Sequence, residues 1–277
     1  MNNPPQSQGR LQAQNLTLGY DGRDIIQDLT LAIPDAQVTS IIGPNGCGKS
    51  TLLRGFGRLL QPRSGQVLLD GGPLAGQSTR HIATKISVLP QTPTAPSGLT
   101  VADLVSRGRH PRQKWYQQFS LADQTVVEEA LAATDISELA DTPLEDLSGG
   151  QRQRAWISMT LAQETGILLL DEPTTYLDLA HQVDVLELVR RLNRQHQRTV
   201  VMVLHDISLA ARYSDHMVAM KDGRIIAQGT PEAVVTPELL QQVFELNAHV
   251  INEPTDGRPH VIPLGASVRA GAAVRAG

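Results

Sequence analysis

The sequence predicts an α/β fold built around a mostly parallel sheet. Three apolar runs carry this prediction: VTSIIG at 38–43, GILLLDEP at 166–173 and RTVVMVLHD at 198–206. None of them alternates with polar residues, which indicates strands buried on both faces. Each leads into a loop and then a helical pattern, and this strand–helix repetition is typical of an α/β core.

Two further regions differ from this core. In the N-terminal third, LQAQNLTLGY, IIQDLTLAIP and SGQVLLDG alternate in polarity and are separated by turns, so we expect antiparallel strands beside the core. From about 98 to 165 the strand signals vanish and helical patterns dominate, which predicts a helical insertion. The C-terminal GASVRAGAAVRAG is of low complexity, and we expect a frayed tail.

Composition narrows the classes of function. The chain has 277 residues, 40% of them apolar, enough for one large domain or a core with a satellite subdomain. A formal net charge of −4 argues against a general nucleic-acid binder. The single cysteine, Cys47, excludes a disulfide within the chain and fits a reducing cytoplasm.

Membrane insertion is not expected from the sequence. The first residues lack the apolar core of a secretory signal. No apolar run approaches the ~20 residues that span a bilayer. We therefore expect a chain that is soluble by itself, with any membrane role exercised through a partner.

The stretch GPNGCGKST at 43–51 fits the phosphate-loop pattern G-x-x-x-x-G-K-[ST]. Its glycines let backbone N–H groups converge on phosphate oxygens. Lys49 supplies a point charge to the outer phosphates, and the Ser50 hydroxyl can ligate Mg²⁺. The predicted nucleotide-binding residues are Gly43, Pro44, Asn45, Gly46, Cys47, Gly48, Lys49, Ser50 and Thr51. Cys47 occupies a free position, and we interpret it as a small residue that fits rather than a redox switch.

Acidic residues end the second apolar run. Asp171 and Glu172 fall at the carboxyl end of a buried strand, which is where ligands bind in doubly wound sheets. Asp171 can hold Mg²⁺, directly or through water, and Glu172 can polarise an attacking water, as phosphoryl transfer requires. The alternative is a solvated acidic turn, which the upstream phosphate loop disfavours.

Two more polar residues end apolar runs. His205 ends the predicted strand in VVMVLHD and is expected at the same sheet edge, where it could hydrogen-bond the γ-phosphate. Gln91, in VLPQT, could reach the metal or the attacking water. A structural role is the alternative for both residues.

A second glycine-rich patch, LSGGQ at 147–151, precedes a helical pattern. Ser148, Gly149 and Gly150 place a hydroxyl and backbone donors at a helix N-terminus, which suits a phosphate. The alternative is that Ser148 caps the helix, and both roles are compatible.

The phosphate loop, LSGGQ, LLLDEP and HD occur in the order and rough spacing of the ATP-binding cassette (ABC) ATPases, which the chain resembles over nearly its whole length. The resemblance implies a P-loop NTPase core of the RecA-like kind, with ATP and Mg²⁺ as cofactors. It also implies a homodimer in which LSGGQ, including Gln151, closes over ATP held by a second copy arranged head to tail. Further implied partners are integral membrane permease subunits and, indirectly, a substrate-binding protein.

Other roles are carried over by position. The resemblance implies that Tyr20 stacks on adenine, although ordinary packing is the alternative. It implies that Asp178 belongs to a loop linking the two nucleotide sites. That loop reads TTYLDLAHQ here, and Thr175 and Tyr176 depart from the commoner Ser and Ala.

The sequences of this loop and of the C-terminal region indicate one subclass of ABC ATPases. DEPTTYLDLAHQ and TPELLQQVFELNAHVI…GRPHVIP resemble ATPases of bacterial ferric-siderophore importers, a class that also carries haem and cobalamin. This implies a peripheral subunit on the cytoplasmic face of the inner membrane. It also implies an ATPase domain at 10–250, with a core at about 10–91 and 166–235 and a helical subdomain at about 92–165. A C-terminal extension would cover 236–277.

Four alternatives retain an ABC cassette but differ from this importer role. Ribosome-acting types usually carry two cassettes in one chain, and DNA-repair types insert a long coiled coil that has no room here. A fused exporter would need membrane spans. A non-hydrolysing regulator would be favoured by loss of the catalytic carboxylate, but Glu172 is present.

Overall fold

The computed structural model of the chain describes residues 9–113 and 119–266, apart from the side chains of residues 265 and 266. The strands are β1 (Leu11–Tyr20), β2 (Arg23–Ile33), β3 (Val38–Ile42), β4 (Ser64–Leu69), β5 (Gly72–Pro73), β6 (Ile86–Leu89), β7 (Ile167–Asp171), β8 (Thr199–Val203), β9 (His216–Lys221), β10 (Arg224–Gly229), β11 (Leu246–Asn252) and β12 (Pro259–Ala266). The helices are α1 (Lys49–Phe56), α2 (Thr79–Ala83), α3 (Val101–Arg107), α4 (Leu121–Ala133), α5 (Gly149–Ala162), α6 (Leu179–His196), α7 (Ile207–Tyr213), α8 (Pro231–Val234) and α9 (Pro237–Phe244). Short 3-10 turns lie at Leu74–Gly76, Ser137–Leu139 and Leu144–Asp146.

A six-stranded sheet forms the core, in the order β10-β9-β3-β8-β7-β6. The neighbours from β9 to β6 pair in parallel, and β10 pairs antiparallel with β9. Every residue of β3, β7 and β8 is buried, which explains why these strands show no polar alternation. The predicted α/β class with a mostly parallel sheet is confirmed.

Four strands of the N-terminal third form a separate antiparallel sheet in the order β2-β1-β4-β5, as the alternating pattern of this region predicts. Apolar residues of β1 and β2 pack with Leu52, Leu53 and Phe56 of α1 and with one face of the parallel sheet. Helix α1, which follows the phosphate loop, is therefore held in the core between the two sheets.

Helices α3, α4 and α5 lie in the region where the strand signals vanish. Apolar residues of these helices share one core cluster with Leu168 and Leu170 of β7 and with Met202 of β8. The helical insertion is thus packed against the opposite face of the parallel sheet.

The chain after the core forms α8, α9 and the antiparallel hairpin β11–β12. Val250 and Val261 on the hairpin pack toward the core, and the Val261 N–H donates to Ser208 Oγ of α7 at 3.1 Å. The expected frayed tail lies largely in residues 267–277, outside the described residues. Among the described helices, none has the length and apolar composition needed to cross a membrane.

A buried ion pair ties the three inserted helices together. Arg109, just after α3, donates to Asp123 of α4 at 2.9 Å, to Glu164 at 2.7 Å and to the Ala162 carbonyl at the end of α5 at 2.7 Å. Arg109 and Asp123 are only 6% and 8% exposed. Burial by itself would raise the pKa of Asp123, but hydrogen bonds from Arg109 and Ser120 outweigh it and hold that pKa below its ordinary value.

We predict that Arg109→Ala lowers the free energy of unfolding by about 3 kcal/mol, because it leaves the buried Asp123 carboxylate without its partner. Chemical denaturation monitored by circular dichroism measures the change. Arg191→Ala, which removes an exposed ion pair with Asp135, is the control and should cost less than about 1 kcal/mol. Equal losses in the two variants would contradict the prediction.

The same pair has a pH signature. Because the pKa of Asp123 is lowered on folding, its contribution to stability is complete above about pH 4 and is lost as the pH falls through the lowered value. The stability difference between the wild-type chain and Asp123→Asn should therefore shrink on acidification.

Candidate nucleotide-binding site

The phosphate loop runs from the end of β3 to the start of α1 and needs glycine for two different reasons. A Cβ at Gly43 would collide with the carbonyl oxygen of Met220 and lie 2.7 Å from Cys47 Sγ. Gly48 precedes α1 with φ 105°, in the left-handed region that favours glycine. The loop is thus a close-packed turn that leads into the N-terminus of α1. Backbone N–H groups at such a helix N-terminus can bind an anion.

Lys49 is buried and makes no ion pair within the described residues. Its Nζ donates to the carbonyl oxygens of Gly43 at 2.9 Å and Pro44 at 3.0 Å. The ammonium group therefore lies on the phosphate loop itself, held by neutral acceptors that an anionic phosphate could replace. Cys47 is buried beside it, and burial raises the pKa of its thiol, in keeping with a packing role.

Ser50 and Asp171 form a pair of oxygen ligands. Ser50 Oγ donates to Asp171 Oδ1 at 2.7 Å. Burial raises the pKa of Asp171, and the hydrogen bond from Ser50 opposes that rise. An octahedron with metal–oxygen bonds of about 2.1 Å has neighbouring oxygens about 3 Å apart, so this hydroxyl and carboxylate fit two adjacent positions of Mg²⁺.

Glu172 follows β7 directly and is held by residues from three other loop positions. Its Oε1 lies 2.7 Å from His205 Nε2. Its Oε2 accepts from Gln91 Nε2 at 2.6 Å and from Thr175 Oγ1 at 3.0 Å. The carboxylate is only 9% exposed, whereas His205 is 48% exposed. The site thus combines a fixed, nearly buried carboxylate with a histidine that solvent can reach.

The order of strands explains why these residues meet. Gln91 lies two residues beyond β6, Glu172 one residue beyond β7 and His205 two residues beyond β8. Strands β6, β7 and β8 are parallel neighbours, so their carboxyl ends share one edge of the sheet. His205 was expected to end its strand; the strand stops at Val203, and the histidine lies in the following loop.

Tyr20 ends β1 and is 38% exposed. Its hydroxyl accepts from Arg54 Nη1 of α1 at 3.2 Å, so the ring lies beside the helix that follows the phosphate loop. This leaves an aromatic surface near that loop, as stacking on adenine would require.

The LSGGQ patch forms the N-terminus of α5. Ser148 Oγ accepts from the Gln151 N–H at 3.3 Å, and Gln151 Oε1 accepts from the Ser148 N–H at 3.0 Å. This capping box confirms the capping role considered for Ser148, whose hydroxyl proton remains free to donate. Ser148 and Gly149 are exposed, while Gly150 is buried.

Asp178 caps α6, accepting at Oδ1 from the His181 N–H at 2.9 Å. That backbone hydrogen bond and the His181 side chain lower the pKa of Asp178. No hydrogen bond or ion pair among the described residues joins Ser148, Gln151 or Asp178 to the phosphate loop. The predicted residues therefore form two groups, one around the phosphate loop and Glu172, the other around LSGGQ and Asp178.

Three contacts of these groups were not expected from the sequence. They are made by Arg54 to Tyr20, by Thr175 to Glu172 and by His181 to Asp178. The spacing of Thr175, three residues after Glu172 in a turn, was a usable signal. No sequence signal identified the contacts of Arg54 and His181. The Arg54 contact depends on the packing of α1 against β1, and the His181 contact depends on the rotamer of its side chain.

Comparison with known proteins places the chain among transporter components. The family model described as "ABC transporter" matches residues 26–175, more than half of the chain. The petrobactin import ATP-binding protein of Bacillus anthracis is 52% identical over 258 residues, covering 93% of this chain and 94% of the relative. The ferric enterobactin transport ATP-binding protein of Escherichia coli (strain K12) is 48% identical over 260 residues, covering 94% and 96%.

A solved structure shows a related assembly. The dimeric post-hydrolysis structure of an ATP-binding cassette bound to ADP and Pi superimposes with a TM-score of 0.70 at 28% identity. The match covers 79% of this chain and 98% of that one. The neighbour is thus a dimer with hydrolysis products bound.

We predict that Lys49→Ala raises the Kd for MgATP at least about tenfold, since hydrogen bonds to charged groups contribute about 1.5–3 kcal/mol. Titration of the purified chain with a fluorescent ATP analogue measures the change. Lys85→Ala is the matched control, because Lys85 precedes β6 at the opposite sheet edge and pairs with Asp70 at 3.7 Å. Unchanged affinity in Lys49→Ala would contradict the role given to this ammonium group.

Proposed function

The chain belongs to the ABC transporter family, and from that premise we propose that it is the ATP-hydrolysing subunit of a bacterial ferric-siderophore importer, acting through a separate membrane permease. The observation that carries the hydrolytic part is the nearly buried Glu172 carboxylate, held by Gln91, Thr175 and His205. It lies beside the Ser50–Asp171 pair at the mouth of the phosphate loop.

Each residue around the phosphate loop and Glu172 is assigned one role in ATP binding or hydrolysis. Lys49 and the loop amides neutralise the phosphates, and Tyr20 supports the adenine. Ser50, Asp171 and Gln91 would hold Mg²⁺, which supplies charge stabilisation for phosphoryl transfer when bound. Glu172 orients the attacking water and accepts its proton, while His205 turns from Glu172 toward the γ-phosphate.

The second group of residues is proposed to serve the ATP of another copy. Ser148 and Gly149 are exposed donors at the N-terminus of α5 and make no contact with their own phosphate loop within the described residues. Beside them, Tyr176 is 91% and Leu179 66% exposed, an apolar surface that a partner would cover. We therefore place two copies head to tail. Each ATP is bound by Lys49 and His205 of one copy and by Ser148 and Gly150 of the other copy.

ATP then acts as the ligand that favours the closed dimer. The γ-phosphate bridges the two copies, so its loss on hydrolysis removes the contacts that hold them together. The protein responds by a shift between two populations, closed with ATP and open after hydrolysis.

The helical subdomain at about 92–165 is proposed to carry this movement to the permease, within an ATPase domain at 10–250. The segment after Gln91 lines a groove of about 340 Å³ against α5, with Arg152 and Trp156 on its wall. Gln91 contacts Glu172, and we propose that a change at the reacting carboxylate is transmitted through this hydrogen bond to the segment. We assign the groove to a segment of the permease and propose that the chain acts on the cytoplasmic face of the inner membrane.

The cargo assignment is supported by the functions of the two relatives, petrobactin import and ferric enterobactin transport, and by the high coverage of both chains in each comparison. In this arrangement the cargo contacts the permease and a substrate-binding protein, and this chain supplies only the energy. A related importer of haem or cobalamin, or a soluble ABC ATPase, would use the same catalytic residues.

We predict that Glu172→Gln lowers kcat for ATP hydrolysis by about 100-fold or more, because the amide cannot accept the water's proton. ATP binding should persist, so the variant should accumulate a closed dimer, detected by size-exclusion chromatography with ATP. Glu129→Gln, on the exposed face of α4, is the matched control. Normal turnover by Glu172→Gln would remove this residue from its proposed role.

The transport assignment predicts that a tagged copy of this chain copurifies with an integral membrane permease. After reconstitution in liposomes with the binding protein, the complex should take up a radiolabelled ferric siderophore only with ATP. Uptake of haem or cobalamin in place of the ferric siderophore would show that the cargo assignment is wrong. The absence of any copurifying permease would favour a soluble ABC ATPase.

A further inference from the structure

His181 contacts both segments that the proposed dimer would present to the partner's ATP. These segments are LSGGQ at the start of α5 and the loop ending at Asp178 at the start of α6. They are separated by more than twenty residues of sequence and by strand β7. One side chain in the first turn of α6 thus bridges two binding elements.

The first contact is with Asp178. The Asp178 Oδ1 atom accepts from the His181 backbone N–H at 2.9 Å and lies 2.7 Å from His181 Nδ1. The backbone bond alone caps the helix, so capping does not require the imidazole. The Nδ1 contact adds a second restraint, which fixes both the carboxylate and the orientation of the ring.

The second contact is with Gly150. A Cβ placed on Gly150 would lie 2.6 Å from His181 Cδ2 and 3.2 Å from Cγ. The ring therefore occupies the space that a side chain at position 150 would need, directly behind the backbone proposed to face the phosphate. Further along the same two helices, Arg154 of α5 pairs with Asp184 of α6 at 3.6 Å.

We infer that His181 is a positioning residue that couples the LSGGQ segment to the Asp178 loop, so that both engage the partner copy's ATP as one rigid unit. This inference rests on the proposed head-to-tail dimer. The imidazole holds Asp178 through Nδ1 and packs against Gly150 through the Cδ2 side of its ring, while touching neither the nucleotide nor the water itself.

The inference predicts a defect in dimer closure rather than in nucleotide binding. In full-length chain carrying Glu172→Gln, His181→Ala should raise the ATP concentration for half-maximal dimer formation about tenfold, since it removes a charged hydrogen bond and ring packing from each copy. Light scattering during an ATP titration measures this concentration. The Kd for a fluorescent ATP analogue on the monomer and the melting temperature should stay at the parent values.

Two variants sharpen the test. His181→Asn keeps a donor at the position of Nδ1 and should recover part of the loss, to within about threefold of the parent, because one of the two contacts is retained. His196→Ala removes an exposed histidine from the far end of the same helix and should match the parent.

The outcomes separate this inference from the function on which it rests. If Glu172→Gln forms no ATP-dependent dimer, the proposed head-to-tail arrangement fails. If that dimer forms but His181→Ala closes at the parent's ATP concentration, or His181→Asn is no better than alanine, the coupling role of His181 is wrong. A fall in melting temperature or in monomer affinity that matches the dimer defect would likewise reduce His181 to a structural residue.

Discussion

The whole site depends on parallel strands ending at one edge of a buried sheet. Strands β3, β6, β7 and β8 run the same way, so the phosphate loop, Gln91, Glu172 and His205 emerge side by side. The strands are mostly apolar and are fixed by packing on both faces. The polar residues therefore lie on short loops whose starting points cannot move independently, which is the preorganisation that phosphoryl transfer requires.

The degree of burial determines the roles suited to the two carboxyl groups at this edge of the sheet. Glu172 is nearly buried yet accepts from Gln91 and Thr175 and lies beside His205, so its carboxylate is held in place with little water around it. Asp171 lies deeper, and its raised pKa reflects a site in which a cation would restore the lost solvation. Two adjacent carboxyl groups thus differ in environment: one is suited to a metal and the other to a water molecule.

The sequence predicts features formed by residues that are close together in the chain, and it does not predict contacts between residues that are far apart. The buried strands are contiguous in the sequence, and the fold class that they predict is confirmed. The phosphate-loop residues are also contiguous, and the structure brings them together in one turn between β3 and α1. The capping box of Ser148 and Gln151 is equally local. Contacts such as Arg109 with Asp123 or His181 with Gly150 join separate helices, and no spacing in the sequence encodes them. The end of β8 before His205 was misplaced because Leu204 continues the apolar run.

The geometry of LSGGQ supports the proposal that a second copy completes the site. Its capping box consumes the Gln151 N–H but leaves the Ser148 hydroxyl proton and the first amides of α5 free, at the positive end of a fourteen-residue helix. Within the described residues, nothing anionic from this chain meets them. A helix N-terminus with exposed donors beside the apolar Tyr176 and Leu179 is incomplete by itself. In the proposed dimer, the ATP-loaded phosphate loop of a second copy would supply the negative charge, and that copy would cover the exposed Tyr176 and Leu179.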